Sequence, residues 1–138
     1  MFVCKDPSGC ASKSRNWGAT PQQIAGFAQI QHAWRSVTFE LDPHVVKRQR
    51  ERGISRADIR HVLLNGRVLE FHHQKGLYRR ARIMGRLPSG RPLHVIVEWG
   101  NNTYRVITAM DPASRPWQWN EDYTQRLHWC VKNHSSED

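Results

Sequence analysis

The sequence predicts an α+β domain: helices packed on one face of a four-stranded antiparallel sheet, with extra N- and C-terminal segments. Three observations carry this. Two short helical stretches with their own start and stop signals lie back to back between residues 42 and 66. The hydrophobic period then changes from helical to two. Four alternating runs follow with no helix between them, which argues for an antiparallel meander rather than parallel crossovers.

Residues 1–36 read as an N-terminal appendage. "CKDPSGCASKSRNWGATPQQ" is rich in Ser, Gly and Pro and has no clear period. Residues 21–34, "PQQIAGFAQIQHAW", predict a short helix: Pro21 suits a first turn, and Ile24, Phe27, Ala28 and Ile30 or Gln31 follow helical spacing.

The core domain spans residues 37–112. "VTFEL" alternates like a strand. Asp42 and Pro43 then read as an N-cap and first helical residue, and Gly53 closes that helix in the left-handed conformation. Ser55 and Asp58 form a capping-box pair, with Ile54 and Ile59 placed as a hydrophobic staple. Ile59, Val62 and Leu63 make an apolar stripe that Asn65-Gly66 ends. The strands are "RVLEF", "LYRRARIMG", "PLHVIVEW" and "TYRVITAM", with turns at "LPSGR" and "GNN". In residues 113–138, "NEDYTQRLHWC" predicts a C-terminal helix packed on the core, with Asn120 as N-cap and two acids in its first turn.

The 138 residues suit one domain, and the 38% of hydrophobic residues suffice for a core. The net charge is +9, and it is concentrated in the middle. Residues 37–112 carry 14 Lys/Arg against 7 Asp/Glu, whereas the last 26 residues carry 3 against 4. Such a field attracts polyanions, namely RNA, DNA, an acidic protein or anionic lipid; charge that serves solubility alone is the plainer reading. No run is long enough for a transmembrane helix and the N-terminus lacks the apolar core of a signal peptide, so a cytoplasmic protein without a membrane partner is expected. Three cysteines do not complete a disulfide framework, in keeping with a reducing compartment.

Phasing the strands separates two faces. Leu93, Val95, Val97 and Trp99 point one way, and His94, Ile96 and Glu98 the other. A hairpin turning at Asn101-Asn102 pairs Trp99 with Tyr104 and Glu98 with Arg105. One face then carries Arg80, Arg82, His94, Glu98 and Arg105. An ordinary wet face with weak cross-strand pairs would look the same. The mixture of His, Glu and Arg also supplies the parts of a metal-free phosphodiester cleavage site. A base takes the 2′-hydroxyl proton, a histidine protonates the leaving oxygen, and arginines stabilise the phosphorane. His94 and Glu98 form its expected centre, with Arg82 and Arg105 on the phosphate and His44 as a second acid–base candidate. No cofactor is expected.

"H-x3-R-x3-R-G-I-S" (His44, Arg48, Arg52, Gly53, Ile54, Ser55), "DI..VL..G.V" from Asp58, "RARIMGRLPSGRPLHVIVEW" and "YRVITAMDP" together resemble the domain-of-unknown-function family 4258. That family is in turn similar to BrnT-type toxins of the RelE/ParE superfamily. The resemblance covers roughly residues 38–112 and extends loosely through "W..DYTQR". It implies a RelE/BrnT-like fold, ribonuclease activity that is ribosome-dependent or free, and an antitoxin that neutralises the basic face. Its matching motifs carry His44, Arg48, Arg52, Arg82, His94 and Thr108. The first 36 residues and the Trp-rich tail depart from the pattern. On a helix His44, Arg48 and Arg52 fall at i, i+4 and i+8, on one stripe without an apolar residue. Arg48 and Arg52, with Arg80 and Thr108, are the expected contacts to nucleic acid: the stripe either faces water or borders a phosphate path at the sheet edge.

Cys4, Cys10, Cys130 and His134 offer a Cys3His zinc site that ties both tails together, against the plainer readings of free thiols or a Cys4–Cys10 link. His72 and His73 are strand neighbours that point apart and do not share a metal. Trp117 and Trp119 read as clamps for a terminal segment, with base stacking as the alternative. The expected function is therefore a metal-independent endoribonuclease of toxin type. The alternatives are a non-catalytic nucleic-acid- or protein-binding module and an inhibitor encoded by a mobile element.

Overall fold

The computed structural model describes residues 3–35, 39–73, 79–100 and 103–130. In chain order they form α1 (Pro7–Trp17), α2 (Pro21–Trp34), β1 (Glu40–Leu41), α3 (Pro43–Arg52), α4 (Arg56–Asn65), β2 (Arg67–His73), β3 (Arg79–Arg86), β4 (Pro92–Gly100) and β5 (Thr103–Met110). Two single 3-10 turns follow, Pro112–Ser114 and Pro116–Gln118.

Local chemistry sets the helix ends as expected. The Asp42 side chain accepts the His44 N–H at 2.9 Å, and Gly53 closes α3 at φ 62°. At α4, Ser55 Oγ accepts the Asp58 N–H at 3.0 Å and Asp58 accepts the Ser55 N–H at 2.9 Å, a complete capping box. Thr20 and Gln23 exchange the same pair of bonds at the start of α2.

The class is α+β, but the sheet has five strands, in the order β1-β5-β4-β3-β2. This corrects the expectation of four antiparallel strands. β2 to β5 form the meander, and β1 adds in parallel to β5 through Glu40↔Arg105 and Leu41↔Val106. "VTFEL" was expected as a strand without a place in the meander. Its last two residues occupy the open edge of β5 and satisfy backbone groups that the meander leaves unpaired; Val37 and Thr38 lie outside the described residues. The expected register holds: Trp99 pairs with Tyr104 and Glu98 with Arg105, although the turn at Asn101-Asn102 and Tyr78 lie outside the described residues.

α2, α3 and α4 cover one face. Phe27, Val45, Ile59, Val62 and Leu63 meet Ile83, Leu93, Val95, Val97 and Val106 in one core.

Both ends differ from expectation. α1 is a helix where no period was visible. Asp6-Pro7 starts it with the same cap-and-proline pair as Asp42-Pro43, and Asp6 Oδ1 accepts the Gly9 N–H at 3.2 Å. Conversely, residues 120–130 contain no helix. Asn120 does bond amides ahead of it, accepting Thr124 N–H at 2.8 Å and Gln125 N–H at 3.1 Å on Oδ1. The chain nevertheless turns at Tyr123, whose φ is 63°, and returns so that Arg126 pairs with Trp119 as an isolated bridge. Among the described residues, no helix is long and apolar enough to cross a membrane.

Candidate functional site

The face of the sheet opposite the helices carries the predicted chemistry, but most of it is covered. β2, phased by Glu70↔Arg82 and His72↔Arg80, adds Glu70 and His72 to the face. Residues 118–130 fold over it. Arg126 forks onto Glu70, with Nε to Oε2 at 2.8 Å and Nη2 to Oε1 at 3.1 Å, and Arg82 Nε reaches Oε1 at 3.1 Å. The Arg126 guanidinium lies between Trp119 and Trp129, at 4.3 and 3.7 Å from their ring centroids. Burial opposes ionisation of Glu70, yet the His72 ring 3.5 Å away, the hydrogen bonds from Arg126 and the charges of Arg126 and Arg82 hold its carboxyl down at about 2.

His94 is fully buried in the same assembly. Its Nδ1 lies 3.3 Å from Arg82 Nη1, its Nε2 lies 2.9 Å from the Tyr123 carbonyl oxygen, and Trp119 meets it edge-on. Burial, then the Arg82 charge, lowers its pKa to about 3. The expectation of a free face is corrected here: Arg82 and His94 are packed under Trp119 and Tyr123, beyond the reach of a substrate. Nor do His94 and Glu98 act as a pair. Four residues apart on one strand, they are separated by about 13 Å, too far to flank one phosphate.

The uncovered end of the face holds Arg80, Glu98 and Arg105 in one row. Arg80 Nη2 bonds Glu98 Oε2 at 2.8 Å, while the exposed Arg105 sits 3.8 Å from Glu40. Thr108 is half-buried opposite Ile96.

α3 presents the most open charged surface. Val45 is its single buried residue. Helical geometry spreads His44, Arg48 and Arg52 along one flank, Lys47 and Glu51 beside them, and Arg50 on the outer side with Val46, which is 45% exposed. Arg48 pairs with Glu51 at 2.8 Å across one turn, an exposed contact of little strength. Arg52 donates to the Ala109 carbonyl at 2.7 Å, which fastens the stripe to β5. So the stripe does border the sheet edge. Partial burial, then the Arg48 charge, lowers the Arg52 pKa, with Arg115 adding to the crowding. Arg115 also acts on Arg82. Among the described residues the Arg115 side chain has no ion-pair partner, and it extends the α3 cations past the end of β5.

Sequence reasoning missed Glu70, Arg126 and Arg115. Phasing β2 with the other strands would have found Glu70 opposite Arg82. Arg126 carried no signal, because its role depends on the turn at Tyr123. The Trp117 and Trp119 clamp is as expected: Trp119 is buried, and Trp117 Nε1 donates to the Cys130 carbonyl at 2.8 Å. Cys4, Cys10 and Cys130 lie close together, whereas His134 falls outside the described residues.

A family model described as a domain of unknown function (DUF4258) matches residues 41–111, just over half of the chain. No curated protein and no solved structure matches it.

Proposed function

The chain belongs to the DUF4258 family, and from that premise we propose that it is a nucleic-acid-binding module that grips RNA backbone along α3. One observation carries the reading. α3 buries only Val45, so Lys47 and Arg50 are exposed and Arg48 and Arg52 half-exposed beside them, against the single acid Glu51. Arginines crowded by like charge gain from an anion that relieves the repulsion, and phosphate suits their forked donors. The covered sheet face favours binding over chemistry at His94.

Metal-independent RNA cleavage is the second reading, and His44 is the observation that favours it. It is the exposed imidazole on the stripe of Arg48 and Arg52, placed to exchange a proton beside a bound phosphate. We carry as part of the same proposal the likeness to BrnT-type toxins of the RelE/ParE superfamily, a cytoplasmic setting, and an acidic antitoxin that competes with RNA for α3.

The test is titration of labelled single-stranded RNA with the full chain, followed by anisotropy at several salt concentrations, with a parallel gel in EDTA. Binding that weakens steeply with salt, without cleavage, is expected. Cleavage that persists in EDTA and disappears in His44→Ala would move the assignment to the nuclease. Absence of RNA binding at low salt would overturn both.

A further inference from the structure

The two ends of the described chain meet at three thiols. Cys4 Sγ lies 3.6 Å from Cys10 Sγ and 3.7 Å from Cys130 Sγ, and Cys10 and Cys130 are 4.0 Å apart. A ring nitrogen of His128 lies within 4.8 Å of the Cys4 and Cys10 sulfurs. A tetrahedral zinc with Zn–S bonds of about 2.3 Å requires S···S edges of about 3.8 Å. The three sulfurs already form a triangle of that size. The corresponding S···N edge is about 3.5 Å, so the His128 ring, which approaches Cys4 and Cys10 but not yet Cys130, must move in towards the triangle to close the fourth vertex.

The backbone is also arranged for thiolates. The Trp129 N–H donates to Cys10 Sγ at 3.2 Å. That donor offsets part of the negative charge that a metal–thiolate centre accumulates.

We propose that Cys4, Cys10, His128 and Cys130 bind one structural zinc ion. Four protein ligands leave no open position, so the ion is a staple and not a catalyst. Two ligands come from the N-terminal segment and two from the strap that covers the sheet. The Cys130 carbonyl also accepts Trp117 Nε1 at 2.8 Å and Gln118 Nε2 at 2.6 Å, so fixing Cys130 fixes the strap on both sides of Arg126.

The test is metal analysis of the untagged full-length protein, purified under reducing conditions, together with its cobalt-substituted form. One zinc per chain is expected, with the visible ligand-field bands of a tetrahedral cobalt–thiolate centre. Cys4→Ser and Cys130→Ser should lose the zinc. His128→Ala should release it to a competing chelator roughly tenfold or more readily, whereas His134→Ala should not. The cobalt spectrum of the wild-type chain stands even if a serine variant fails to fold. Protein free of metal, a disulfide between any two of the cysteines, or a different metal would overturn the assignment. Zinc lost in His134→Ala but kept in His128→Ala would overturn the ligand set.

Discussion

His94 donates a hydrogen bond to the main-chain oxygen of Tyr123 at 2.9 Å. The partners on both sides of the ring decide its protonation. A carbonyl only accepts, so Nε2 carries the proton; the Arg82 guanidinium only donates, so Nδ1 at 3.3 Å must be bare. A second proton on the ring would face Arg82 without an acceptor. This is why burial and then the Arg82 charge depress its pKa from the ordinary 6.5 to about 3.

Stability should therefore depend on pH in a defined direction. His94 stays neutral when folded, whereas the unfolded chain takes up a proton below 6.5. The contribution of the group is complete above that value and is lost as pH falls towards 3. Between pH 7.5 and 5.5 the loss is about 1 kcal/mol. Glu70, held at about 2 against an ordinary 4.5, adds a second loss that begins only below 4.5. His94→Gln keeps a donor for Tyr123 but does not titrate. Its thermal stability should be lower at pH 7.5 yet flatter down to pH 5.5. Parallel curves for the two proteins would sink the argument.

Glu70 and Arg126 make the second prediction. Removing Arg126 takes the bidentate partner from the buried Glu70 carboxylate and leaves it Arg82 alone. Arg126→Met should cost about 3–5 kcal/mol in urea unfolding. Glu70→Gln made in addition should cost less than the sum of the two single losses, because the Glu70–Arg126 bonds can be lost only once. Additive losses in the double variant would mean that the pair is not coupled.

Gly66 ends α4 where two backbones approach closely. A Cβ there would meet the Val62 carbonyl oxygen at 2.5 Å and the Met84 carbonyl oxygen at 2.7 Å. Its φ of −78° is open to any residue, so the constraint is space and not conformation. Gly66→Ala should lower the unfolding free energy by about 1–3 kcal/mol. A variant as stable as wild type would show that α4 can move off β3 freely.

That glycine also marks how far the sequence could be read. "NG" at 65 and 66 signalled the helix end from local rules alone, as did the caps at Asp42 and Ser55. The strand phases and the Glu98–Arg105 pairing followed equally well, since alternation and turn length are local. The covered face was not legible. Arg82 and His94 look solvent-facing in any reading that stops at Met110, because nothing in "NEDYTQRLHWC" reports the left-handed turn at Tyr123 or the return of Arg126 to Glu70. Those contacts join residues 56 positions apart. α1 was missed for a different reason: Asp6-Pro7 was readable, but the Ser and Gly residues around it suggested a loop.

The last prediction separates a directed interface from diffuse charge. Neither Arg50 on α3 nor Arg115 beyond β5 has an ion-pair partner among the described residues. Arg67 is exposed, as is Arg50 (Arg115 is half-buried), but sits on β2, at the far edge of the sheet from β5. On a single strand each phosphate contact contributes about 0.7 to the slope of log affinity against log salt. Arg50→Ala and Arg115→Ala should each weaken RNA binding severalfold and reduce that slope by that amount. Arg67→Ala should leave both unchanged, although it removes the same formal charge. Equal losses in all three would mean that RNA responds to the net charge of +9 and not to a surface built by α3.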